Sequence, residues 1–148
     1  MALEIAERNT DAERIILGGI EPNGTVMTKQ IKELLKEWFN GSIEELQLKL
    51  NKRQPNEVWL SATTDMNNAV VVIVDDVANS GKTLTYALKP LLQYFPQKIQ
   101  TLVLVDRTHK EFPVKPDYVG LSIATTLQDF IDVELVDGEL TGAFVEQH

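Results

Sequence analysis

The stretch Val71-Val-Ile-Val-Asp-Asp-Val-Ala-Asn-Ser-Gly-Lys-Thr-Leu84 sets two adjacent carboxylates, Asp75 and Asp76, at the end of an apolar run. Small residues, hydroxyls and one ammonium follow them. Carboxylates so placed serve as acceptors for sugar hydroxyls or, through water, as ligands to Mg²⁺. Ser80, Gly81, Lys82 and Thr83 open a predicted helix, whose unsatisfied N–H groups and dipole attract an anion. Gly81 lets the backbone approach closely, and the two hydroxyls and the ammonium add donors. A phosphate group suits that loop. The Gly-Lys-Thr string does not make it a P-loop, because that motif needs a glycine five residues before Gly81 and Asp76 stands there.

The elements that must position these groups follow from the apolar periods. Leu3, Ile5 and Ala6 fit one face of a short helix ending near Asn9. Arg14 to Gly18 reads as a strand buried on both faces, and Gly19 to Gly24 as a loop. A helix capped by Thr25 or Thr28 carries Ile31, Leu34, Leu35, Trp38 and Phe39 at helical spacing, which predicts a core face, and Asn40-Gly41 stops it. Leu46, Leu48 and Leu50 alternate as in a half-exposed strand. Lys52 to Asn56 breaks that strand, and Val58-Trp59-Leu60 pairs back. Ala69 to Val74 is the strongest strand; it runs straight into Asp75-Asp76, then a polar loop and a helix from about Lys82 to Leu92. Thr101 to Val105 and Tyr118 to Ile123 are further strands. Val133 to Val145 reads as a hairpin around Asp137-Gly138. Leu91, Leu92, Tyr94 and Phe95 are assigned to core packing, with a subunit contact as the alternative. Strands alternating with helices over short links predict βαβ units and a parallel sheet in one α/β domain spanning residues 1–148.

Composition narrows the chemistry. The chain has 148 residues, no cysteine and two histidines, with 22 acidic against 14 basic side chains and a formal charge of −8. Disulfides, thiolate metal sites and a cysteine nucleophile are excluded. The acidic balance disfavours nonspecific binding to polyanions, so RNA is not an expected partner. The longest apolar run, Ala69 to Val74, is far short of a membrane span, and the N-terminus does not read as a signal peptide. A soluble, cytoplasmic protein is expected.

Four apolar residues, two acids, a short loop and Ser-Gly-Lys-Thr resemble the phosphoribosyl-pyrophosphate (PRPP) signature of the type I phosphoribosyltransferases. Met1 to Asn9, the strand to Gly18 and Val105 to Gly120 are most similar to the PyrR branch of that family, pyrimidine-operon attenuators that also have uracil phosphoribosyltransferase activity. The resemblance implies a Rossmann-like parallel sheet flanked by helices, with a small, reduced hood. It implies that Asp75 and Asp76 hold the ribose hydroxyls, in the catalytic position, and that Val77, Ala78, Asn79, Ser80, Gly81, Lys82 and Thr83 bind PRPP through its 5′-phosphate. Glu21, Pro22, Asn23 and Gly24 form the pyrophosphate loop, and Asp106, Arg107, Ala124, Thr125 and Thr126 the base side. Mg²⁺ is the implied cofactor, held mainly through PRPP and water, with Asp75 and Asp76 as candidate ligands. Implied partners are PRPP or a nucleotide, a nucleobase and a second copy in a homodimer. The pyrophosphate loop carries Glu21 where relatives usually have Lys or Arg. Only Lys49, Lys52 and Arg53 offer charge in the shortened segment over the site. His109, Lys110 and Lys115 sit where that branch contacts RNA, and their own surroundings read as a solvated turn.

Overall fold

The computed structural model describes residues 1–51, 53–55, 57–123, 129–136 and 139–147, with side chains up to residue 120. Lys52, Asn56, Ala124, Thr125, Thr126, Leu127, Gln128, Asp137, Gly138 and His148 lie outside the described residues. Six strands form one sheet in the order β3-β2-β1-β4-β5-β6. They are β1 (Arg14–Ile20), β2 (Ser42–Leu50), β3 (Val58–Leu60), β4 (Val70–Ala78), β5 (Lys98–Arg107) and β6 (Tyr118–Ile123). All neighbours are parallel except β3, which runs antiparallel to β2. Strands β7 (Asp129–Val136) and β8 (Glu139–Gln147) form the expected terminal hairpin.

Strand β4 explains both layers. Its side chains alternate, so Val70, Val72 and Val74 pack under helices α1 (Ala2–Arg8) and α2 (Asn23–Leu35). Val71 and Ile73 pack on the other face with Leu84 and Ala87 of α3 (Lys82–Ala87) and Leu91 of a following 3₁₀ turn, Lys89–Gln93. The α/β parallel sheet read from the sequence is thus the observed fold.

Several boundaries differ from the sequence reading, each for a physical reason. Strand β1 runs on through Gly19 and Ile20, because Ile20 is fully buried and both residues pair with Gln47 and Leu48 of β2. Helix α2 therefore begins at Asn23, after Pro22, rather than at Thr25 or Thr28. Those two hydroxyls are used elsewhere: Thr28 Oγ1 donates to the Thr25 carbonyl at 2.7 Å and Thr25 Oγ1 to the Gly19 carbonyl at 3.5 Å. The helix expected over residues 82–92 breaks after Ala87, where Pro90 has no N–H to continue the ladder. Trp38 is exposed while Phe39 is buried, and Leu92 and Phe95 are exposed while Leu91 is buried, so helical spacing overstated the core at both places.

The buried Tyr118 ties β6 to α1. Its hydroxyl donates to Gln100 Oε1 at 2.8 Å and accepts from Asn9 Nδ2 at 3.3 Å, with the Arg8 guanidinium 4.8 Å from the ring centre. Burial pushes the Tyr118 hydroxyl above the ordinary tyrosine range, against the lowering effects of Asn9, Arg8 and Gln100. The unfolded chain releases that proton near pH 10 (~10 for a free tyrosine), while the native chain keeps it to higher pH. Stability should therefore fall as pH rises from the ordinary tyrosine value toward the raised one. Tyr118→Phe is expected to cost about 1 kcal/mol at neutral pH and to flatten that alkaline decline. Chemical denaturation at stepped alkaline pH checks it; an unchanged decline would show that another group is responsible.

Candidate functional site

In an open parallel sheet, ligands bind beyond the carboxyl ends of strands at the point where the chain order reverses. Here β1 and β4 are that pair: β2 follows β1 to one side and β4 lies on the other. The segments leaving their ends are Glu21 to Gly24 and Asn79 to Gly81. The sheet thus brings two of the sequence-predicted loops to one crevice.

Asp75 and Asp76 lie within β4, which continues beyond them to Ala78. The ladder to β5 continues past the apolar run, through Asp75↔Val103, Val77↔Val105 and Ala78↔Asp106. Both carboxylates are nearly inaccessible, at 1% and 6% exposure. Strand alternation sends them to opposite faces. Asp76 faces α2 and accepts from Asn23 Nδ2 at 2.7 Å, while its Oδ1 accepts from the Val77 N–H at 2.8 Å. Asp75 Oδ1 accepts from the Asp76 N–H at 2.9 Å. The pyrophosphate-loop candidate Asn23 is therefore coupled directly to one of the paired acids, a contact no sequence pattern announced.

The turn carrying Glu21 contains a cis Glu21–Pro22 peptide, and the Glu21 N–H donates to the Leu48 carbonyl at 2.9 Å. Gly24 then brings α2 against the sheet. A Cβ there would lie 2.3 Å from the Val74 carbonyl oxygen, so only glycine fits.

The phosphate-loop candidate is short. Gly81 has φ of 86°, the left-handed region that favours glycine. Its absent Cβ would point at the Val114 carbonyl oxygen, 3.0 Å away, and the Phe112 carbonyl oxygen, 3.4 Å away. A larger side chain at Gly81 would accordingly press on the 110–114 segment rather than fill the anion's approach. The Lys82 N–H donates to Ser80 Oγ at 3.2 Å, and Lys82 Nζ reaches the Arg53 carbonyl at 2.9 Å. Arg53, Gln54, Pro55, Lys82 and Tyr86 line a cleft of about 310 Å³ beside this loop.

On the base side, Asp106 and Arg107 end β5 rather than follow it, and Arg107 is buried. The Asp106 carboxylate is held by Lys110. Far from forming a solvated turn, Lys110 is 93% covered, with side-chain exposure of 7%, whereas His109 and Lys115 are exposed. The four-residue spacing from Asp106 was the one available signal. Among the described residues no group of three or more His, Asp or Glu side chains could hold a metal. No described helix is long and apolar enough to cross a membrane.

A parallel sheet with paired acids near its switch point, followed by a glycine-centred loop, defines an open α/β class of protein whose ligand crevices lie at the carboxyl edge of the sheet. The chain belongs to the phosphoribosyltransferase family: the family model for the phosphoribosyl transferase domain matches residues 6–137. It is 34% identical over 139 residues to the bifunctional protein PyrR of Streptococcus pneumoniae (strain CGSP14), covering 90% of this chain and 80% of that protein. Among solved structures it resembles a hypoxanthine-guanine phosphoribosyltransferase of Bacillus anthracis (TM-score 0.65, 19% identity, 88% of this chain and 77% of that one). It also resembles the hypoxanthine phosphoribosyltransferase of Trypanosoma cruzi (TM-score 0.68, 20% identity, 82% and 74%). These structures share the type I phosphoribosyltransferase fold with this chain.

Proposed function

We propose that this protein binds PRPP at the β1/β4 crevice and transfers its phosphoribosyl group to a nucleobase, with a pyrimidine such as uracil favoured, releasing pyrophosphate. The observation that carries this is the buried Asp75–Asp76 pair at the carboxyl end of β4, continuing directly into the Ala78–Thr83 loop. In this reading the two carboxylates accept hydrogen bonds from the ribose hydroxyls, and the loop N–H groups, Ser80, Lys82 and Thr83 hold the 5′-phosphate. A ring nitrogen of the base attacks C1 as the bond from C1 to the pyrophosphate oxygen breaks, through a transition state with ribosyl-cation character. The base loses its ring proton to solvent, and pyrophosphate departs. Holding sugar and base in line replaces a bimolecular encounter, which is worth several kcal/mol and needs no protein nucleophile.

Two adjacent carboxylates suit Mg²⁺ bound largely through water and the ligand, and Asp75 and Asp76 are the residues that would meet it. When bound, the ion would neutralise charge on the departing pyrophosphate. A cytoplasmic homodimer accompanies this reading, for which the exposed Leu92 and Phe95 offer apolar surface.

A second reading, a PRPP or nucleotide sensor with little turnover, is favoured by Glu21 in the pyrophosphate loop and by the engagement of Asn23 with Asp76. An RNA-binding attenuator is supported less, because Lys110 is buried in an ion pair and the chain carries a charge of −8. Incubation with Mg²⁺, PRPP and each common base separates them. Base-dependent pyrophosphate release is expected, with uracil among the active bases. PRPP binding without release from any base would establish the sensor, and salt-sensitive binding of RNA hairpins would restore the attenuator.

A further inference from the structure

The connection from β5 to β6 braces the loop after β4 from one side. Lys110 Nζ lies 3.4 Å from the Ala78 carbonyl oxygen and 3.3 Å from that of Asn79, and it also contacts Asp106 Oδ1 and the Arg107 carbonyl. The Glu111 and Phe112 N–H groups both donate to the Ser80 carbonyl at 3.0 Å. Three successive carbonyls, those of Ala78, Asn79 and Ser80, are thus all drawn toward residues 110–112. A trans peptide is planar, with its N–H opposed to its C=O. The N–H groups of Asn79, Ser80 and Gly81 are consequently all turned away from the brace. Successive N–H groups presented together form a concavity for an anion. A covered ammonium is tolerated only when paired and hydrogen-bonded, and Asp106 supplies the charge.

We propose that Lys110, with Asp106 as its counter-ion, is a positioning residue that sets the Asn79–Gly81 N–H groups for a sugar 5′-phosphate. This rests on the proposed PRPP reading of the same loop. Asp106 then acts as the anchor of the brace rather than as a group reading the base.

The test uses ribose 5-phosphate as probe on the full chain, followed by calorimetry and by amide NMR shifts of Asn79, Ser80 and Gly81. Lys110→Met leaves a carboxylate unpaired and risks misfolding, so the Lys110→Met/Asp106→Asn pair is the main variant. It is expected to unfold near the wild-type temperature, bind the probe roughly 10- to 100-fold more weakly and lose the three amide shifts. Lys110→Arg is expected to restore most of the affinity. Wild-type affinity and unchanged amide shifts in the double variant would overturn the proposal while leaving the PRPP reading intact. Failure of the folded wild-type chain to bind ribose 5-phosphate or PRPP would overturn both.

Discussion

Asp75→Asn should weaken PRPP binding by roughly 100-fold and keep the native fold. Asp75 receives the Asp76 N–H on Oδ1, and an asparagine carbonyl can keep that contact. On the PRPP reading, the exchange removes negative charge at the ribose hydroxyls, where hydrogen bonds to a charged group are worth about 1.5–3 kcal/mol each. Asp76 behaves differently. Its two oxygens each accept a donor, Asn23 Nδ2 and the Val77 N–H. An asparagine there must turn its NH₂ group toward one of them, leaving two donors face to face. Asp76→Asn should therefore lose about 1–3 kcal/mol of stability as well as ligand affinity. The exchange Asn23→Asp with Asp76→Asn should recover stability by reversing the donor, without recovering affinity. Titration calorimetry alongside thermal melts checks the set. Wild-type PRPP affinity in Asp75→Asn would remove that carboxylate from the site.

Gly24→Ala should lower stability by about 3 kcal/mol, a fall in melting temperature of about 10 °C for a chain of this size. The added carbon would lie 2.3 Å from the Val74 carbonyl oxygen, 3.2 Å from its carbon and 3.3 Å from the Gly19 carbon. All three are backbone atoms of paired central strands, so no rotamer change relieves the contact. Helix α2 must lift from the sheet instead. That movement would carry Asn23 away from Asp76 and disturb the strand one residue before Asp75, so ligand affinity should fall with stability. Differential scanning calorimetry reads the first effect and PRPP titration the second. A wild-type melting temperature would mean that α2 has slack the packing does not show.

The residues explain why some of this was visible beforehand and some was not. A central strand covered on both faces is an unbroken apolar run, so β4 stands out and its acids are placed at once. The loop composition around Gly81 is equally local, and its left-handed φ confirms why glycine stands there. Strand β5 extends past its apolar run because Asp106 and Arg107 are polar yet keep their backbone ladders. The Asn23–Asp76 bond and the Lys110 brace join residues brought together only by sheet order and by the path of the β5–β6 connection. Periodicity cannot supply that information. Nor can it distinguish Leu91 from Leu92, since a helix that breaks at a proline changes which face is covered.

Both the transferase and the sensor reading need one thing of this protein: that the crevice between β1 and β4 receives PRPP. Calorimetric titration of the full chain with PRPP in the presence of Mg²⁺ measures it directly. Saturable binding of one PRPP per chain, weakened in Asp75→Asn with its fold intact, is the expected result. A folded wild-type chain that takes up no PRPP would contradict the assignment of Asp75, Asp76 and the Ala78–Thr83 loop.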